Sequence, residues 1–218
     1  MIQEAGRFDI KFTLIIVILC ALFIPKSLDE RALVNASILP SLEIDSTILR
    51  DGDIIFRRGI SFVSNLVLER DSESPYSHVG IISFEGNKPF VIHAVPDESE
   101  TEIDYVRKDP LNLFLRKDRA SAYAVSRCVD EDAAVKASKL SIDFYNSKII
   151  FDDGFSLLDT SKFYCTELVW QAYKHAGVNL TDNKFDTLSI PIGENPFLLP
   201  GSILLSPHTI QITKTSIF

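Results

Sequence analysis

The chain has 218 residues, with 22 Lys+Arg against 30 Asp+Glu and a formal net charge of −8. At 46% hydrophobic and 24% charged, it has the composition of a globular protein, which excludes disorder as its main state and a polytopic membrane protein. The acidic balance argues against a nucleic-acid binder, which needs a basic footprint, and three cysteines are too few for a disulfide framework.

Taken in chain order, the N-terminus is a separate object. Residues 12–24 form one apolar run flanked by Lys11 and Lys26. As a helix it would be about 20 Å long, short of the roughly 30 Å hydrocarbon core of a bilayer. That length suits the apolar region of a secretory signal, and Arg7 and Lys11 supply a positive lead-in diluted by Glu4 and Asp9. No small-x-small cleavage triplet follows, and Leu19 before Cys20 does not suit a lipid-modified N-terminus. Residues 1–25 are therefore read as a signal-anchor or signal peptide, 26–47 as a linker and 48–218 as the main domain. This implies a membrane-anchored or exported protein of the bacterial envelope type, held by a single N-terminal hydrophobic segment. The alternative is that the run is a buried strand or helix of the main domain.

From residue 48 the pattern is mixed. Asp51-Gly52 marks a turn, Asp53–Arg57 a strand ended by Gly59, and residues 60–69 a short helix carrying Phe62, Val63, Leu66 and Val67. Strands are expected at His78–Phe84, Phe90–Val95 and Ala122–Val125, and a helix at Asp132–Tyr145. Residues 163–176 form the clearest helix, closed by Gly177, and Ile203–Ser206 reads as a final strand. Strands and helices without regular βαβ alternation point to an α+β fold.

Three segments carry chemistry: Ser77-His78-Val79-Gly80-Ile81, Ile92-His93-Ala94-Val95 and Phe163-Tyr164-Cys165-Thr166-Glu167-Leu168. If Gly86-Asn87 is a two-residue hairpin loop, Glu85 faces Lys88 and His93 lies opposite Gly80. His78 and His93 then share a face one diagonal apart, roughly 7–8 Å between Cα atoms, and Gly80 leaves space for the His93 ring. A one-residue shift would put them on opposite faces. Cys165 falls in the first turn of its helix, where partial positive charge lowers a thiol's pKa and free N–H groups can hold an oxyanion. The residues alone leave a structural alternative open. Either histidine can be a core residue, and Cys165, Leu168, Val169, Ala172 and Ala176 follow the spacing of an amphipathic core face.

Together with Leu49–Phe56 and the continuation Val169-Trp170-Gln171-Ala172-Tyr173, these segments closely resemble the YiiX/YebB-like permuted papain-fold hydrolases. Those proteins belong to the NlpC superfamily of cysteine hydrolases and are related to the lecithin–retinol acyltransferases. The resemblance covers roughly residues 48–180, with histidine before cysteine, reversed from papain. It implies a circularly permuted papain-like (NlpC-type) fold whose antiparallel sheet packs on the helix bearing the cysteine. It also implies a nucleophile at Cys165, a base at His78 and a polar orienting residue at His93. The bacterial branch often carries glutamate at that third position, and the acyltransferase branch histidine. Tyr164 resembles the aromatic residue that recurs before the nucleophile and is a candidate for the oxyanion or substrate site.

The implied function is a cysteine hydrolase cleaving an amide or ester bond through a Cys-His-His acyl-enzyme, on cell-wall peptides as one substrate class. The alternatives are a lipid-directed acyltransferase or esterase and a catalytically silent binding module. The partners expected are a peptide, lipid or small-molecule acyl substrate, and the membrane through the N-terminal segment. No Cys/His cluster has the short spacing of a zinc site, so no metal or cofactor is expected. Glu167 and Lys174 read as solvated or ion-paired helix positions, His175 as a helix-end cation, Cys128 as a bystander thiol and His208 as a tail residue. Asp97–Glu102 reads as a solvated loop, and Asp152-Asp153 as a cap or wall of the site.

Overall fold

The structure is a computed structural model that describes residues 39–96, 103–190 and 193–215. The chain divides into two units, Met1–Leu39 and Pro40–Phe218, and the described fold is that of the second.

The fold begins at the Asp51-Gly52 turn. Gly52 has φ +86°, and a Cβ there would lie 2.2 Å from the Ala134 carbonyl oxygen, so only glycine allows this turn to sit against a helix. Strand β1 (Ile54–Gly59) follows and pairs antiparallel with both β2 (His78–Glu85) and β5 (Ala120–Cys128). With β3 (Lys88–His93), β4 (Arg107–Pro110) and β10 (Thr209–Lys214), these form a six-stranded sheet of order β10-β5-β1-β2-β3-β4. Two small two-stranded sheets accompany it, β6 (Ile150–Phe151) with β7 (Lys162–Phe163) and β8 (Asp186–Ile190) with β9 (Gly193–Phe197).

The central strands are buried on both faces, so they read as continuous apolar runs. One face presents Ile54, Phe56, Val79, Ile81 and Ile92 to α3 (Glu131–Asn146) and α4 (Cys165–Ala176), in a core with Leu168, Val169 and Tyr173. The other presents Ile55, Ile82, Val91 and Val125 to the short helix α2 (Leu111–Phe114) and to Leu49. Helix α3 starts where the Asp130 carboxylate accepts from Ala133 N, and it buries the small residues Ala133, Ala134, Ala137, Ser138 and Ser141, which let it lie close to its neighbours. Helix α4 ends at Gly177 with φ +108°, the left-handed cap expected from the sequence. This is the α+β arrangement of an antiparallel sheet packed on the helix that carries the cysteine.

Several expectations need correction. Ile203 belongs to a helix, α5 (Pro200–Leu204), rather than to a strand; Pro200 sits in its first turn, where a missing N–H costs nothing. The last strand is β10, an edge strand whose alternation of threonine, isoleucine and glutamine keeps most of its residues partly or fully exposed. The 60–69 helix forms as α1 (Phe62–Arg70), but it buries none of its residues, and Phe62 is 76% exposed. The clearest helix starts at Cys165 rather than at 163, because Phe163 is held in β7. Within the stretch read as linker, Leu42 N donates to Leu115 O and Ser41 bridges to Arg116.

The expected localisation, membrane-anchored or exported through one hydrophobic segment, is also corrected. Among the described residues no helix is long and apolar enough to cross a membrane. The longest, α3, has 16 residues and carries Asp132, Lys136, Lys139 and Asp143. The apolar run at 12–24 lies outside the described residues, as does the acidic stretch Asp97–Glu102.

Candidate active site

The site starts from hairpin register. Gly86 adopts φ +59°, Glu85 faces Lys88, and Ile81 faces Ile92. Continued by one pair, this register sets Gly80 against His93. A Cβ on Gly80 would lie 2.6 Å from Val91 Cγ1, 2.8 Å from Ile92 O and 3.0 Å from His93 Cβ. Glycine is therefore what lets the β3 backbone and the His93 side chain sit where they do.

His78 and His93 meet as the register requires: His78 Nε2 and His93 Nδ1 are 2.9 Å apart in a buried hydrogen bond, with rings edge-on. Phe114 of α2 packs against both rings, with centroids 5.7 and 5.1 Å away. Arg57 faces His78 across β1–β2, stacks over the same Phe114 ring at 4.7 Å and donates to its carbonyl at 3.1 Å. Burial, then the Arg57 charge, then His93 hold the His78 pKa well below the ordinary imidazole value, so the ring is neutral at neutral pH.

Sequence reasoning missed the next residue in the series. Asp109 of β4, 4% exposed, places Oδ2 at 3.4 Å from His93 Nε2. Arg107 donates to the other oxygen from Nη2 at 3.1 Å and from Nε at 3.3 Å, and Arg119 Nη1 lies 3.5 Å from Oδ2. Burial alone would raise the Asp109 pKa, but the bond and charge of His93 together with Arg107 outweigh it and hold the carboxyl well below the usual range. Arg107-Lys108-Asp109 has no apolar alternation to mark it as a strand, and only β3–β4 pairing brings Asp109 to His93.

Cys165 approaches from the other side of the sheet. It is the first residue of α4, after the N-cap Tyr164, and packs against the core on the helix-bearing face. It and His78 line one cavity of about 820 Å³, together with Arg57, Ser77, Phe62 and Phe155. The expectation of a lowered thiol pKa is corrected: burial pushes Cys165 up to about 11, and the backbone N–H groups of Val79 and Thr166 and the Arg57 charge only partly offset it. The resting pair is thus a thiol and a neutral imidazole.

The remaining marked residues fall elsewhere. Tyr164 does not line the cavity: it is buried, its ring packs on Phe155 at 5.4 Å, and its hydroxyl accepts from Leu198 N at 2.8 Å. Glu167, expected to be solvated or ion-paired, is 0% exposed; burial, and then Asp152, push its pKa up to about 8, and the opposing contacts with Gln171 and the Tyr164 backbone are too weak to reverse this. Asp152 caps its own loop by accepting from Gly154 N and Ser156 N. Cys128 is buried in the core, His175 Nδ1 bonds Gln171 O, and His208 pairs with Asp182 at 2.9 Å.

Residues 48–192 match the model of the permuted papain-like amidase family YaeF/YiiX, the C92 family. The uncharacterized protein YiiX of Escherichia coli strain K12 is 29% identical over 127 residues, which is 57% of this chain and 57% of that protein. The chain thus aligns with little more than half the length of that relative. The crystal structure of metalloprotein yiiX from Escherichia coli O157:H7 superposes with a TM-score of 0.61 at 22% identity, over 76% of this chain and 97% of that one, a likeness of fold.

Proposed function

The chain belongs to the YaeF/YiiX family of permuted papain-like amidases, and within it we propose that this protein is a cysteine hydrolase acting through Cys165, His78 and His93. The observation that carries the reading is the 2.9 Å bond between His78 Nε2 and His93 Nδ1. With His78 Nε2 as the donor of that bond, Nδ1 of a neutral His78 is left as the base for the thiol that lines the same cavity.

In this mechanism His78 Nδ1 takes the Cys165 proton as sulfur attacks an acyl carbonyl carbon. The S–C bond forms, and the oxyanion is held by the Cys165 backbone N–H at the start of α4, which no preceding helical turn occupies. The C–N bond then breaks while His78 returns the proton to the leaving amine. Water, deprotonated by His78, attacks the thioester carbonyl, and the departing sulfur recovers its proton. His93 orients His78 throughout.

The relative from Escherichia coli O157:H7 is described as a metalloprotein. Among the described residues of this chain, no group of three or more His, Cys, Asp or Glu is placed to hold a metal ion. His78, His93 and Asp109 are joined in series, each to the next, rather than converging on a point. The residues present do not fit a metal, and the steps above use side chains alone.

A peptide amide, cell-wall peptides included, is the substrate class the family membership favours. A second reading, an ester or amide of a lipid, is favoured by the exposed apolar residues Ile60, Phe62 and Val63, which line the cavity at the start of α1. The test is to incubate the full chain with peptidoglycan fragments and, separately, with phospholipid, and to map any acyl adduct by mass spectrometry. The reading predicts an adduct on Cys165 and loss of turnover in Cys165→Ala. Full turnover by Cys165→Ala would overturn it, and a Cys165 that stays unmodified and inert to thiol reagents would instead indicate a silent binding module.

A further inference from the structure

We propose that Asp109 is a positioning residue that fixes the proton arrangement of both histidines, so that His78 presents an unprotonated Nδ1 to Cys165. The proposal rests on the hydrolase reading above for its purpose, but its geometry stands on its own.

Arg107 and Arg119, which both reach Asp109, can only donate, so the carboxylate stays an anion and can only accept. Its Oδ2 therefore accepts from His93 Nε2, which must carry a hydrogen. When His93 carries one ring hydrogen its Nδ1 is bare and accepts from His78 Nε2 at 2.9 Å, whereas a doubly protonated His93 would donate there and leave the hydrogen of a neutral His78 on Nδ1. A neutral His78 with its hydrogen on Nε2 has a bare Nδ1. For a singly protonated His93 each link has one consistent assignment, and the chain of assignments starts at Asp109. The carboxylate is well placed for this role: it is 4% exposed, is held from one side by Arg107, and sits on a strand whose register with β3 is fixed by the pairs Val91–Asp109 and His93–Arg107.

Arg107 makes the expected outcome of substitution sharp. In Asp109→Asn, the two hydrogen bonds from Arg107 hold the amide oxygen on its side against the single longer contact of Arg119 at 3.5 Å, which turns the NH2 group toward His93 Nε2. That nitrogen must then accept, His93 moves its hydrogen to Nδ1, and His78 is forced to carry its hydrogen on Nδ1, the nitrogen needed for the thiol. In Asp109→Ala nothing imposes the wrong arrangement, although packing and charge are lost. Asp109→Glu keeps an anionic acceptor.

Two readouts on the full chain test this: nitrogen-15 NMR of the histidine rings, and the rate of Cys165 carbamidomethylation by iodoacetamide at neutral pH. The expected result is a bare His78 Nδ1 in the wild type and a protonated one in Asp109→Asn. Alkylation in Asp109→Asn should slow by about tenfold or more and more severely than in Asp109→Ala, with recovery in Asp109→Glu. A merely structural role gives the opposite order, with Ala worse than Asn. That order, or an unchanged His78 ring in Asp109→Asn, would overturn the proposal. The NMR readout does not depend on turnover, so failure of the hydrolase reading (an active Cys165→Ala) is told apart from failure of this one.

Discussion

Two buried carboxylates, Asp109 and Glu167, have opposite fates. Asp109 lies where Arg107, Arg119 and His93 converge, and it is held as an anion. Glu167 lies two residues after Cys165, with no cation beside it among the described residues and Asp152 nearby, and its pKa is pushed up to about 8. The difference is one of partners rather than of depth: burial opposes the charge in both, and only the arginines and the imidazole reverse it. The side of the site that holds the histidine pair is thus supplied with a fixed carboxylate and arginines, and Glu167, behind Cys165, is kept close to neutral.

The comparison can be strained first at the histidines. Gly80→Ala puts a methyl group against Val91, the Ile92 carbonyl and His93. It should lower stability by about 2 kcal/mol in chemical denaturation, as overpacking does. It should also slow Cys165 alkylation beyond what the remaining folded fraction explains, because His93 is displaced from His78. An unchanged alkylation rate in the folded variant would detach Gly80 from the site.

The Glu167 side is tested by pH. Folding raises the Glu167 pKa from 4.5 to about 8, so the folded state retains a proton that the unfolded chain releases between these values. Its contribution to stability is therefore fully present below about pH 4.5, and is lost as pH rises toward and through 8. Glu167→Gln removes this titration. The variant should gain on the wild type steadily as pH rises from 5 to 8, measured by denaturant midpoints across that range. Parallel pH profiles would show that Glu167 has a stabilising partner after all.

The smallest effect belongs to an exposed control. Asp182 and His208 form a hydrogen-bonded pair at the surface, 2.9 Å apart. His208→Ala should change stability by less than about 0.5 kcal/mol at any pH between 5 and 8. A larger effect would mean that the contrast between Asp109 and Glu167 is not one of buried partners.

What could be read from the sequence follows the range of the interactions. The His78–His93 pairing was legible because Gly86-Asn87 fixes a two-residue loop, and strand periodicity carries the register from there to Gly80. Cys165 at a helix start was legible from the run to Gly177. Asp109 was not, because β4 is a short strand of charged residues whose place depends on pairing with β3. Glu167 was misread because it lies off the apolar stripe of α4. It is buried all the same, and Asp152, of the segment that precedes the helix, raises its pKa. The tail strand β10 escaped because its half-exposed alternation gives little apolar signal, and α5 because five residues are too few to show a helical period.

The account turns on Cys165 being the nucleophile and His78 its base. Residue-resolved alkylation of the native full chain by iodoacetamide, in the wild type and in His78→Ala, tests this most directly. Cys165 should be modified well before the buried Cys128, and His78→Ala should slow Cys165 by about tenfold or more while leaving Cys128 unchanged. Equal rates for Cys165 with and without His78 would contradict it.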